Sequence, residues 1–164
     1  MAEPTWVVDT SSLIIVRSLF SRGEQRTAMN GLTALLRATR LVFPREVVGE
    51  LARYAGSENL ALAWAKAHQG LVSVKQPSFQ AVKAVLDQVP EVIDADKEGV
   101  EEADAYVLAM AVELLDAGTD VRVVTEEFKT TVAKMPLSSA AGFLRIPSVS
   151  IKTMLKFEKI VEFQ

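Results

Sequence analysis

The chain is 164 residues long, 49% apolar and 24% charged, which suits one globular domain, residues 1–164, with a core of its own. A net charge of -3 excludes a basic nucleic-acid coat, and the lack of cysteine excludes disulfides and thiol catalysis. With His68 the only histidine, Cys/His zinc sites and histidine-based triads are poor candidates, so any chemistry falls to the 21 carboxylates. The apolar runs are too short to cross a membrane, and the N-terminus lacks the basic-then-apolar layout of a signal peptide; a cytoplasmic protein is the expectation.

Thr5 to Asp9 reads as a first strand, because Trp6-Val7-Val8 is the continuous apolar run of a strand buried on both faces. Ser11 or Ser12 is placed to cap a helix through Leu13, Val16, Leu19 and Phe20, which ends at Ser21-Arg22-Gly23. A second helix is expected from about Glu24 to Thr39, with Met29, Leu32, Leu35 and Leu36 at helical spacing. Leu41-Val42-Phe43 reads as a short strand, and Pro44 opens a helix from Arg45 to about Tyr54 with Val47, Val48 and Leu51 inward. Ser57 is expected to cap a further helix reaching Gly70, on which Trp64 and His68 lie one turn apart and read as packing.

Leu71 to Val74 is a short strand or an extended link, and Ser78 to Val89 a helix with Phe79, Val82, Val85 and Leu86 as its face. Residues 91–98 are acidic and irregular. A long helix is expected from about Val100 to Asp116, closed by Gly118. Val121-Arg122-Val123-Val124 is the second convincing strand, stopping at Thr125-Glu126-Glu127; a short helix is expected over Phe128 to Ala133. Leu144 to Val149 reads as a last strand that Pro147 puts at an edge, followed by a helix from Ile151 to about Ile160. Strands alternating with helices imply an α/β sheet, mostly parallel, with helices on both faces. Right-handed crossovers then bring Asp9 and Glu126/Glu127 to one sheet edge, where ligands of parallel sheets bind.

Four acidic positions stand out: Asp9 after a strand, Glu50 in the helix opened by Pro44, Asp104 in the first turns of the long helix, and Glu127 or Glu126 after a strand. Glu50 and Asp104 adjoin apolar helix faces, where a carboxylate is costly unless compensated. A divalent cation is a natural compensation, and hard oxygen ligands suit Mg²⁺ or Mn²⁺.

Taken in order, Asp9-Thr10-Ser11-Ser12-Leu13-Ile14, Pro44 with Val48-Gly49-Glu50-Leu51, Glu102-Ala103-Asp104-Ala105-Tyr106-Val107-Leu108-Ala109, and Val123-Val124-Thr125-Glu126-Glu127 resemble a PIN domain of the VapC-toxin-like kind. The resemblance covers nearly the whole chain. It implies a PIN-like α/β/α sandwich with a mostly parallel sheet of four to five strands. It also implies a metal-dependent endoribonuclease that leaves a 5′-phosphate and a 3′-hydroxyl, acting as the toxin of a type II toxin–antitoxin pair. Asp9, Glu50, Asp104 and Glu127 are then the catalytic, metal-binding acids, with Glu126 as an alternative fourth acid and Ser11 and Thr125 orienting acids or water. Arg17, Arg22, Arg26 and Arg45 are candidates for contacts to the RNA backbone. An antitoxin protein and a second copy of the chain are the implied partners, with Leu19, Phe20, Leu32 and Leu36 as candidate interface residues. Two other readings compete: a non-catalytic PIN-like module that binds RNA or protein, and a haloacid-dehalogenase-type phosphoryl transferase. The latter wants an aspartate where this chain has Ser11.

Overall fold

Four short strands form one all-parallel sheet in the order β2-β1-β3-β4: β1 Thr5–Val8, β2 Leu41–Val42, β3 Val121–Val124 and β4 Ser148–Val149. This computed structural model describes residues 3–54, 59–71, 76–94, 102–129 and 134–162. β1 and β3 are the central pair, and their valines are buried, as the continuous apolar runs require. Their register runs from Thr5 opposite Val121 to Val8 opposite Val124. The residues that follow the two strands, Asp9 and Thr125, therefore leave the same edge side by side.

Among the described residues eight α-helices flank the sheet: α1 Thr10–Leu19, α2 Arg22–Arg37, α3 Arg45–Tyr54, α4 Leu60–His68, α5 Phe79–Gln88, α6 Asp104–Asp116, α7 Leu137–Phe143 and α8 Ile151–Phe157. This is the α/β/α sandwich expected of a PIN-like chain. α6 lies against β1 and β3, and α5 packs on α6. The buried apolar residues form one cluster that runs from Trp6 to Val161. At the other end of the sheet Trp6 meets Phe157 edge-on at 5.6 Å between ring centroids. Trp6 Nε1 donates to Glu158 at 2.7 Å, and Arg40 pairs with the same carboxylate, so α8 is fixed to β1 and to the start of β2. Gly31 in α2 lies so close to Ile160 that a Cβ there would overlap its side chain.

Several local details differ from the sequence reading. Asp9 itself caps α1, accepting from Ser12 N, so the helix starts at Thr10 and neither Ser11 nor Ser12 is its cap. Ser21 and Glu24 form a reciprocal capping box that starts α2 two residues earlier than expected. Asn59 caps α4; the expected cap Ser57 lies outside the described residues. Leu71 closes a 3₁₀ turn, Gln69–Leu71, and the rest of the segment read as a strand up to Val74 lies outside the described residues. Phe79 is 80% exposed and so is not on the inner face of α5. α6 begins at Asp104, later than expected; Glu102 and Ala103 are non-helical, and residues 100 and 101 lie outside the described residues.

Phe128 and Lys129 are not helical, and 130–133 lie outside the described residues. The last strand shrinks to Ser148–Val149 because Leu144 and Arg145 close α7, a helix with no sequence signal; its edge position stands. Phe20, Leu32 and Leu36 are buried within the chain, so of the four candidate interface residues Leu19 alone is exposed. Among the described residues no helix is long and apolar enough to cross a membrane.

Candidate metal centre

The carboxyl edge of the central strand pair gathers the acids. Asp9 follows β1 directly, and the burial of Val8 and Leu13 on either side leaves it almost no solvent. Its oxygens are held by three donors. Ser12 N donates to Oδ1 at 2.9 Å, Ser11 Oγ lies 2.8–2.9 Å from both oxygens, and Thr125 Oγ1 donates to Oδ2 at 2.6 Å. Ser11 and Thr125, the two hydroxyls expected to support the site, thus both orient Asp9. Each also ties in the loop after β3: Glu126 N donates to Ser11 Oγ and Glu127 N to Thr125 Oγ1, both at 3.0 Å. A hydroxyl that accepts one bond and donates another gives a short cooperative chain from the loop backbone to the carboxylate.

Asp104 opens α6 and is buried; Glu127 stands two residues past Thr125 and is partly exposed. Asp9, Asp104 and Glu127 each offer a carboxylate oxygen, and the three atoms lie within 4.8 Å of one another. Three of the four expected acids therefore come together. Glu50 stands at the margin. Its Oε1 accepts from Thr10 Oγ1 at 2.6 Å, and its charge raises the pKa of Asp104. Glu126 turns away and accepts from Ile151 N at 2.8 Å, at the start of α8. Glu127 rather than Glu126 is thus the acid that joins the group.

One residue that the sequence reading overlooked belongs here. Lys134 Nζ lies 2.6 Å from Asp104 Oδ2 and 3.0 Å from Glu127 Oε1. It is a lone lysine between apolar residues, seven positions after Glu127, and no spacing rule marks it. Burial alone would lower the pKa of this ammonium, but the charges of Asp104 and Glu127 outweigh burial and hold it above its usual value.

The electrostatics show a centre short of positive charge. Burial pushes Asp9 up from 3.8 to about 7 against the lowering bonds from Thr125, Ser12 and Ser11, and the charge of Asp104 adds to the rise. Burial likewise raises Asp104 to about 7, helped by Glu127 and Glu50 and opposed by Lys134. Glu127 Oε2 is buried and receives no hydrogen bond among the described residues. Hard oxygen donors, an orphaned carboxylate oxygen and two acids destabilised as anions all fit a divalent cation.

The candidate RNA-contact arginines are all exposed but unequally placed. Arg45 shares α3 with Glu50, and its Nε is 3.4 Å from Glu46 Oε1. Arg17 is in the last turn of α1, and Arg22 and Arg26 lie beyond it on α2, away from the helix end that Asp9 caps. His68 is a packing residue, as expected: its Nδ1 bonds to Trp64 O at 2.8 Å and its ring lies 5.4 Å from the indole.

Fold and site together define an α/β/α protein with an acidic centre, able to hold a metal ion, at the carboxyl edge of its sheet. The chain belongs to the DUF4411 family, described as a domain of unknown function, whose model matches residues 6–161. No curated protein and no solved structure matches it.

Proposed function

We propose that the protein is a metal-dependent endoribonuclease, with Mg²⁺ or Mn²⁺ held by Asp9, Asp104 and Glu127 and with Glu50 beside them. The observation that carries this reading is the convergence of three carboxylates from β1, α6 and the loop after β3 within 4.8 Å. A divalent cation held by these residues would supply Lewis acidity for phosphodiester hydrolysis. The chain's own residues do the positioning. Thr125, Ser11 and Ser12 engage both oxygens of Asp9, so it presents acceptors in one fixed orientation. Lys134 holds Asp104 and Glu127 at a set separation. A cavity of about 350 Å³, lined by Glu126, Glu127, Phe128, Lys129, Lys134 and Pro136, opens beside the Glu127 member of the group. The ordered resemblance to VapC-type toxins extends the proposal to RNA as substrate and to a toxin role with a cognate antitoxin.

The test is cleavage of structured RNAs by purified protein with Mn²⁺ or Mg²⁺, beside Asp9→Asn and an EDTA control. Metal-dependent cleavage that Asp9→Asn abolishes supports the reading. Cleavage by the variant at the wild-type rate, or none by antitoxin-free wild type on any RNA, sinks it. A second reading, a non-catalytic module that binds RNA or protein, draws on the Lys134 bridges, which satisfy one oxygen of each of two acids without any metal. RNA binding without cleavage would favour it.

A further inference from the structure

We propose that the Lys134 ammonium is a built-in second cation of the acidic centre, so that the site takes one divalent ion where its acids alone would take two. The inference rests on the metal-centre reading and concerns what that centre can hold.

The oxygens of the centre sort into two sets. Asp104 Oδ2 and Glu127 Oε1 are claimed by Lys134 Nζ, at 2.6 and 3.0 Å. Their geminal partners are not: Glu127 Oε2 is buried without a donor, and Asp104 Oδ1 takes part in no hydrogen bond among the described residues. Lys134 thus claims one oxygen of each acid and leaves the other oxygen of each open to a metal ion. Such a division is what a two-cation clamp requires, with one position filled by a side chain.

The charge balance agrees. Asp9, Glu50, Asp104 and Glu127 carry four negative charges when ionised, which two divalent ions would neutralise. Lys134 supplies one positive charge, and a single divalent ion then leaves the group at minus one. A second divalent ion would overshoot and would have to sit where the ammonium already is. Two-metal phosphodiester centres place their cations about 3.5–4 Å apart. The ammonium, 2.6 Å from Asp104 Oδ2 and 3.0 Å from Glu127 Oε1, takes the oxygens that a second ion of such a pair would need. The ammonium is also tethered, so it cannot be lost to dilution or chelation. It brings charge and hydrogen-bond donors but no Lewis acidity, and so acts on the acids as a positioning residue.

The experiment is a Mn²⁺ titration of the EDTA-stripped full chain at pH 8 and 0.15 M KCl. Calorimetry gives the affinity, and free Mn²⁺ by electron paramagnetic resonance gives the stoichiometry. The expected result is one Mn²⁺ per chain for wild type and for Lys134→Arg, and two per chain for Lys134→Met. Two ions bound by wild type, or one bound by Lys134→Met with unchanged affinity, would overturn the proposal while leaving the metal centre intact. No Mn²⁺ bound by wild type would remove the metal-centre reading itself, and this inference with it. Circular dichroism establishes that each variant is folded. If Lys134→Met is not, Lys134→Gln, neutral and of similar length, takes its place and is held to the same two-ion result.

Discussion

Asp9→Asn separates the charge of the buried carboxylate from its shape. In the folded chain burial raises Asp9 from 3.8 to about 7, so the native state binds this proton more tightly than the unfolded state. The resulting stabilisation is complete below pH 3.8 and is lost as pH rises through about 7. At about 1.36 kcal/mol per pKa unit, the penalty for holding the anion at pH 8 has an upper bound of about 4 kcal/mol. The substitution removes that charge and keeps the cap on α1, since asparagine is as good an N-cap as aspartate. It also sets an amide N–H toward Thr125 or Ser11, and re-pairing those hydroxyls costs about 1–3 kcal/mol. The expected net gain for metal-free protein at pH 8 is at most about 1–3 kcal/mol, or roughly 2–12 °C in Tm for a domain of this size. At pH 5 wild-type Asp9 is already protonated, and the gain vanishes or reverses. Mn²⁺ should raise the wild-type Tm at pH 8 and leave that of the variant unchanged. Thermal melts at pH 5, 6, 7 and 8, in EDTA and in Mn²⁺, read all of this. A variant no more stable than wild type at pH 8 in EDTA, or one stabilised by Mn²⁺ as much as wild type, refutes the reasoning.

Protons should also compete with the metal. With Asp9 and Asp104 both raised to about 7, Mn²⁺ affinity is expected to fall on the order of 100-fold between pH 8 and pH 6, and a flat calorimetric profile would contradict it. Glu126→Ala should lose about 1 kcal/mol of stability, because Glu126 Oε1 accepts from Ile151 N, and should keep wild-type Mn²⁺ affinity; a tenfold loss would put Glu126 among the ligands. Gly31→Ala improves helix propensity in α2 but drives a Cβ into Ile160, so a net destabilisation of about 1–2 kcal/mol is expected in urea melts. Restoration by the double variant with Ile160→Val would assign that loss to the contact.

What the sequence disclosed follows the backbone path. Strands β1 and β3 are legible because a parallel strand buried on both faces needs an unbroken apolar run, and each run stops where the sheet edge begins. Asp9 and Thr125 were therefore placed before any side chain was oriented. Asp104 was legible as an acid at the start of an apolar helix, although the helix starts later than its acidic prelude suggested. β4 and α7 were misread or missed because two residues cannot show a period, and Leu137-Ser138-Ser139-Ala140-Ala141-Gly142-Phe143 carries small residues where a stripe would show. The choice between Glu126 and Glu127 depended on the loop after β3. There the backbone bonds to Ser11 and Thr125 turn the two carboxylates apart, one to the start of α8 and one to Lys134. Lys134 could not be found in the same way, since its partner Asp104 is 30 residues away and no periodicity connects them. Its place does explain why a glutamate stands at the fourth position. The carboxylate must leave a backbone already committed to Thr125 and reach both the ammonium and the other two acids, and the extra methylene of glutamate supplies that reach.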